Sequence, residues 1–341
     1  MKIGPKIGAS RIAVAVAVIA ALIIVLSASG CKNASKSSGP REKVTIACAE
    51  HMSSALVQVA DAKGFFADAG VDVVLERRAF GKLALEVMLQ GKADLATVAD
   101  TPVMFAALNG KKVSIIAAIE TASRNMTIIA LKDRGITKPG DLKGKRIGVT
   151  FGTNADYFLE TFLLVNRIDR KLTRIINLSP DAMLDALKSG KVDAVSTWNP
   201  NVQVILDALG PRCVVYHGDN FYTETFFLTA VPDYVKQHPE AVKKVLRALV
   251  KSEEYIHDNP ADARRIAAQF SKLDEAMFAK IWDVFNFRLS LDQSILVSLE
   301  NQTRWAIRSH LNPDAAIPNY HDFIYPGGLQ AVKPEAVRMI R

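Results

Sequence analysis

A short device occurs twice in this chain and sets much of what it can fold into. Gly91-Lys92-Ala93-Asp94 leads into Leu95-Ala96, and Gly190-Lys191-Val192-Asp193 leads into Ala194-Val195. Each copy follows an amphipathic helical stretch and runs through a short apolar strand into a polar loop closed by proline. That loop is Asp100-Thr101-Pro102 in the first copy and Trp198-Asn199-Pro200 in the second. Glycine enters the left-handed region cheaply at a helix C-terminus, and proline fits the first turn of the helix that follows. Two related halves are therefore expected. Loops at the carboxyl ends of parallel strands are where open α/β sheets bind ligands, so two such loops facing each other make a cleft. The repeat itself reads as scaffold, and the unlike loops behind it as opposite walls.

Apolar runs that read as strands lie at 44–49, 71–75, 95–99, 113–119, 126–131, 146–150, 174–178, 192–197, 213–216 and 225–231. Stretches of helical period, such as 55–67, 83–89, 156–165 and 181–187, separate many of them. Alternating strand and helix predicts an α/β fold with mainly parallel sheets. After Pro232 the pattern turns helical, with helices predicted over 239–257, 260–271, 274–287 and 291–309. At 341 residues the chain exceeds the size at which one core keeps growing, so two lobes are expected. The glycine-rich connector 132–145 and the polar stretch 217–224 are the places for the chain to cross between them. Residues 44–136 with 223–341 then form lobe I, and 137–222 form lobe II.

The formal charge of +8 is concentrated at the amino end, where residues 1–43 hold seven bases and one acid. The rest is close to neutral, which argues against a nucleic-acid partner. Lys2, Lys6 and Arg11 precede an apolar run from Ile12 to Leu26, too short for an ordinary membrane span. This is the layout of a secretory signal. It ends in Leu26-Ser27-Ala28-Ser29-Gly30-Cys31, which resembles the lipobox of bacterial lipoproteins, with Ala28 where leucine is usual. Residues 1–30 are expected to be the signal peptide, Cys31 the lipidated residue, and 31–43 a flexible tether rich in Ser, Lys and Gly. Cys48 and Cys213 lie in apolar strands of different halves and read as buried small side chains, with a disulfide between them as the alternative. No cofactor and no metal site is expected, because cysteines and histidines are not clustered.

Four motifs occur in order behind that signal. They are Ala62-Lys63-Gly64-Phe65-Phe66-Ala67-Asp68-Ala69-Gly70-Val71-Asp72-Val73, Gly91-Lys92-Ala93-Asp94, Lys138-Pro139-Gly140-Asp141-Leu142-Lys143-Gly144-Lys145-Arg146-Ile147-Gly148-Val149, and Val192-Asp193-Ala194 with Trp198-Asn199-Pro200. Together they resemble the nitrate/sulfonate/taurine branch of the solute-binding proteins of ABC importers. The resemblance implies a two-lobed type II periplasmic-binding-protein fold with a helical C-terminal region. It implies a monomer on the extracytoplasmic side that captures a small anion and delivers it to an ABC permease and its ATPase.

The loops after strands supply the cleft candidates. From the first lobe these are Glu50, His51, Ser53, Ser54, Asp100, Thr101, Thr121 and Ser123, and from the second Gly152, Thr153, Asn154, Trp198 and Asn199. The amides after Gly152, at the start of a helix, could hold an oxyanion, and Trp198 could cover an organic ligand. Glu50, Asp100, Glu120 and Asp156 stand against Arg124 and a neutral His51. That balance points to a ligand with a cationic or hydrogen-donating group, such as an amino-sulfonate or a pyrimidine. No catalytic residue is expected. The alternatives are an enzyme related to thiamine-pyrimidine synthesis, a binding protein for such a precursor, or a module serving a sensory partner.

Overall fold

The computed structural model describes Met1, residues 41–218 and residues 221–340. The expected signal segment, the lipidation residue Cys31 and the tether up to residue 40 lie outside the described residues. From Arg41 onward the chain builds two five-stranded sheets.

The first sheet has the order β2-β1-β3-β10-β4, from Glu42–Ala49 (β1), Val71–Arg78 (β2), Leu95–Ala99 (β3), Ser114–Ala122 (β4) and Glu224–Ala230 (β10). The second has the order β7-β6-β8-β5-β9, from Met126–Leu131 (β5), Arg146–Val149 (β6), Arg174–Asn177 (β7), Ala194–Trp198 (β8) and Cys213–His217 (β9). The central strands β3 and β8 are buried along their whole length, and the edges β2 and β7 are half exposed. This is why the middle strands carry no charged residue and hold only small hydroxyls, Thr97, Ser196 and Thr197, among their apolar side chains.

The sheets are mixed, where mainly parallel pairing was expected. In each, one strand runs against its neighbours: β10 pairs antiparallel with β3 and β4, and β5 pairs antiparallel with β8 and β9. Those two strands are the ones that arrive from the other lobe. The chain leaves the first sheet at Ala122 and enters the second at Met126, then returns between His217 and Glu224. The first crossing therefore precedes β5, and the connector 132–145 lies within the second lobe. Its polar turns follow β5 and lead to β6 without leaving that sheet.

Helices Ala55–Ala62 (α1), Phe65–Asp68 (α2), Gly81–Leu89 (α3) and Asp100–Leu108 (α4) cover the first sheet. Asn154–Val165 (α5), Met183–Lys188 (α6) and Asn201–Leu209 (α7) cover the second. The remaining helices, Pro232–Gln237 (α8), Pro239–Asp258 (α9), Pro260–Ser271 (α10), Glu275–Ile281 (α11), Ser294–Arg308 (α12) and Pro326–Val332 (α13), pack on the first lobe. On α9 the buried Ala241, Val242, Val245, Leu246, Leu249 and Ile256 recur at helical spacing and form one apolar stripe.

Two helices predicted in this region end early or start late. The segment between α11 and α12 is drawn onto the outer edge of β4, where Asn286 and Ser290 exchange backbone bonds with Thr121 and Ala118. Covering a sheet edge this way satisfies its free amides and carbonyls. No helix among the described residues is long and apolar enough to cross a membrane.

The repeated device has one job in both lobes. Gly91 and Gly190 take φ of 69° and 72° just after their helices, which only glycine does without strain. Asp94 accepts the backbone N–H of Thr45 at 2.7 Å and donates its own N–H to the Thr45 carbonyl at 2.9 Å. Asp193 does the same with Arg146, at 2.9 and 2.8 Å, and its carboxylate also takes the Arg146 guanidinium at 2.7 Å. Each aspartate thus clamps the start of its strand to the parallel neighbour. Asp94→Ala and Asp193→Ala are each expected to cost roughly 1–3 kcal/mol by stranding a backbone N–H. Urea unfolding reads this, and solute affinity should stay unchanged if the repeat is scaffold.

Candidate functional site

The loops at the carboxyl ends of the strands meet between the lobes. His51, in the turn after β1, is 5% exposed and donates from Nε2 to the Asn199 carbonyl of the second lobe at 2.5 Å. Its Nδ1 accepts the Ser53 backbone N–H at 3.2 Å. Both ring nitrogens are therefore occupied in the neutral form, and burial pushes the imidazole down to about 4.

Asp100, the first residue of α4, is fully buried and is the hub of the interface. Its Oδ1 accepts from Asn154 Nδ2, from the Tyr222 hydroxyl at 2.9 Å and from the Thr101 N–H at 3.0 Å. Its Oδ2 accepts from Gln302 at 2.7 Å and Ser298 at 3.2 Å, both on α12. Desolvation nonetheless raises its carboxyl to about 6. On the rim, Lys82 Nζ donates to the Phe151 carbonyl across the cleft at 3.1 Å. The walls stand close, with about 30 Å³ of free space left between them. That is room for two or three waters at ~10–15 Å³ each, so the lobes stand closed.

The lining combines His51, Phe80, Gly81, Lys82, Ala99, Pro102, Glu224 and Phe226 of the first lobe with Met126, Thr153, Asn154 and Trp198 of the second. Trp198 meets Phe80 edge to face at 6.2 Å between ring centroids. Glu120 on β4 lies opposite Phe226 on β10, with Glu224 next on the same face of that strand. Both glutamates are buried, and desolvation raises both carboxyls, Glu224 to about 8 and Glu120 well above its ordinary value with Glu224 adding to the shift. Among the described residues no lysine or arginine is buried.

Of the expected cleft residues, His51, Asp100, Thr153, Asn154, Trp198 and Asn199 come together here, with Ser53 behind His51. Ser54 lies beneath, where its hydroxyl donates to Thr97 at 2.9 Å, and Thr101 is buried beside Asp100 with no partner for its hydroxyl. Glu50 turns outward to Arg77 at 3.6 Å. Thr121 pairs with Asn286 on the outer edge, and Ser123 is exposed in the crossing.

The amides expected to face an oxyanion are those after Gly152; just before them, the Phe151 and Gly152 N–H groups are used by the chain. Phe151 N–H binds Asn177 at 3.0 Å, and Gly152 N–H binds the Asp156 carboxylate at 3.1 Å. A carboxylate of the protein already sits at the positive end of α5. Sequence reasoning missed Phe80, Lys82, Phe226 and Tyr222, and weighed Glu224 only as part of a crossing. These residues lie in strands, helix starts or a crossing instead of the loops searched.

The raised acids give the empty protein a pH dependence. A carboxyl raised by folding contributes stability that is full below its unfolded value and is lost as pH climbs through its folded value. For Glu224 that window runs from about 4.5 to about 8. His51, lowered to about 4, acts oppositely, and its contribution is lost only as pH falls below about 6.5. Above pH 6.5 the acids act alone, so Tm of the empty protein is expected to fall between about pH 6.5 and 8. A Tm that is flat or rising in a calorimetric scan series would contradict the burial of these groups.

A family profile described as NMT1/THI5 like matches residues 52–263. A putative aliphatic sulfonates-binding protein of Bacillus subtilis is 24% identical over 269 residues, spanning 77% of this chain and 80% of that protein. Among solved structures, the alkanesulfonate-binding protein SsuA from Xanthomonas axonopodis pv. citri bound to MOPS superposes with a TM-score of 0.72 at 18% identity, over 85% of this chain and all of that one. The DSZB C27S mutant in complex with biphenyl-2-sulfinic acid superposes with a TM-score of 0.65 at 16% identity, over 87% of this chain and all of that one. At these identities the structural matches establish the fold, which binding proteins and an enzyme share.

Proposed function

The chain belongs to the NMT1/THI5-like family and has its two-lobed periplasmic-binding-protein fold, and from that premise we propose that it is the extracytoplasmic solute-binding subunit of an ABC importer. It closes on one small organic solute and presents it to a membrane permease. The observation that carries this reading is the cleft. Two lobes joined by two short crossings close through His51–Asn199 and Asp100–Asn154, around a lining of aromatic and buried polar side chains from both sides. Two bodies on narrow hinges that meet over a lined gap are built to open and close on a ligand. The relative named as a sulfonates-binding protein agrees.

Chemistry on a thiol finds no support in the described residues. Cys48 and Cys213 are free and buried, and burial pushes the Cys48 thiol up to about 12, so it is not a thiolate at neutral pH.

The test is a thermal-shift screen of the unit from Arg41 onward, which contains its own apolar clusters. Taurine, alkanesulfonates, nitrate, pyrimidines and small amines form the panel. A true solute at a hundredfold excess over Kd stabilises by about 2.7 kcal/mol, and no shift from any class would contradict the reading. Attachment to the membrane through a lipid on Cys31 is a separate part of the proposal. Cys31→Ala is expected to move the full chain from the membrane fraction to the soluble one, and retention would contradict it.

A further inference from the structure

The hydrogen-bond accounting of the cleft is one-sided. Glu120 is fully buried, and neither carboxylate oxygen accepts a hydrogen bond, although the Ser53 hydroxyl lies beside it. Gln302 Oε1, next to Asp100, is buried without a partner as well. Glu224 has Asn125 on one oxygen only. A buried acceptor left unpaired costs about 1–3 kcal/mol, and a carboxylate is an acceptor at both oxygens when ionised. Among the described residues the donors at hand are the hydroxyls of Ser53 and Thr101, and neither brings a positive charge. No lysine or arginine among the described residues is buried, His51 is engaged at both nitrogens, and Lys82 is spent on the Phe151 carbonyl. The unpartnered buried nitrogen of this region, Trp305 Nε1, belongs to a ring packed against Phe105 and Tyr157.

The two glutamates are also placed together and aimed the same way. Glu120 faces Phe226 across the β4/β10 ladder, and Glu224 follows on the face that Phe226 presents to the cleft. Diagonal cross-strand neighbours lie about 7–8 Å apart at Cα, a span that one small donor-rich group bridges. Phe226, Phe80 and Trp198 line the cleft together with Glu224, Glu120 lies behind them on the partner strand, and aromatic faces attract cations as well as apolar carbon.

We propose that the cleft selects an organic cation, a solute whose protonated nitrogen head, an amine, amidinium or guanidinium, is held by Glu120 and Glu224 while Phe80, Phe226 and Trp198 cover its carbon part. This deepens the solute-binding reading and rests on it. It departs from the anion that the family resemblance implies: Asp156 places a carboxylate of the chain at the start of α5, on the Gly152 N–H, where an anion would meet like charge.

The groups facing the pair are Asp100 from α4, Ser53 from the turn after β1, and Asn125 and the buried Tyr222 from the crossings, with neutral His51 lining the same cleft. With the cleft empty at pH 7, Glu224 holds a proton. Binding a cation favours the carboxylate, and that proton passes to the buffer. Calorimetry of benzamidinium, methylguanidinium and ethylammonium at millimolar concentration, in buffers of different ionisation enthalpy, reads both affinity and proton release.

The expected result is binding of at least one of these, with release of about one proton at pH 7. Glu120→Gln and Glu224→Gln should each weaken it at least tenfold. Neither variant should lower the Tm of the empty protein, since a glutamine keeps the shape of the buried carboxyl and its oxygen still accepts from Asn125 at position 224. Binding of ethanesulfonate or nitrate but of none of the amines would overturn the cation and leave the solute-binding reading standing. Glutamine variants that bind benzamidinium as well as the parent would overturn the assignment of the two acids. If no probe of either charge and nothing in the wider screen binds, both fall.

Discussion

Asp100→Ala is expected to lower the unfolding free energy by about 3 kcal/mol, the largest effect of any substitution in the cleft. The carboxylate holds Asn154 and Tyr222 from the second lobe, and Gln302, Ser298 and the Thr101 amide from the first. Alanine strands several buried donors at once, each at roughly 1–3 kcal/mol before the site relaxes. It also removes the main polar tie between the lobes, so binding should weaken with stability. Asp100→Asn is the informative contrast. Its Oδ1 keeps three of the bonds, and the Gln302 amide turns over to offer its now unpartnered Oε1 to the new NH2. The asparagine variant should lose less than about 1 kcal/mol in urea unfolding. Equal losses for both would mean that the charge, not the geometry, holds the hub.

Gly81→Val is expected to cost about 2–3 kcal/mol by overpacking. Gly81 opens α3 against the first sheet and lines the cleft. A Cβ there would lie 2.9 Å from Val98 Cα, 3.0 Å from Phe226 Cζ and 3.3 Å from Ala99 N. The Val98 and Ala99 backbone belongs to the buried central strand β3 and has nowhere to go. The helix must lift instead, carrying Phe80 and Lys82 away from the opposite wall. Solute affinity should therefore fall together with Tm. Gly140→Ala is the control, because no atom lies within 4 Å of its Cβ position, and it should be nearly neutral. If both glycine variants melt alike, the close approach of α3 to β3 is not what fixes this wall.

Much of the fold was legible in the sequence because strands in buried sheets are written as short apolar runs. The runs at 95–99 and 126–131 are the strands Leu95–Ala99 and Met126–Leu131 residue for residue. What local pattern could not carry is which sheet a strand joins. β5 is as apolar as any neighbour, and its antiparallel place between β8 and β9 is set by tertiary pairing, so the polar connector after it drew attention as the crossing. The segment after α11 was read as helix because its period fits one, yet it serves as cover for the edge of β4.

The same split runs through the cleft. His51, Asp100, Asn154 and Trp198 were found because they end strands or open helices. Glu120 was legible only as one acid in the charge balance and Glu224, the first residue of β10, only as part of a crossing, because no local pattern shows that the two share one face of a strand pair. The partners of Asp100 at positions 222, 298 and 302 are so distant in sequence that only the fold brings them together. The repeat located the cleft, and its two aspartates proved to be clamps on the sheets.

The central claim is that one solute is gripped by both lobes at once. Calorimetric titration of the probe that binds in the screen, on the parent and on Phe80→Ala and Trp198→Ala, tests it most directly. These two rings face each other from opposite lobes, and each covers part of a solute held between them. The account predicts one site per chain and a loss of at least tenfold in affinity for each variant, or about 1.4 kcal/mol. A solute that binds the Trp198→Ala protein as tightly as the parent, or the Phe80→Ala protein likewise, would sit on one lobe alone and contradict the account.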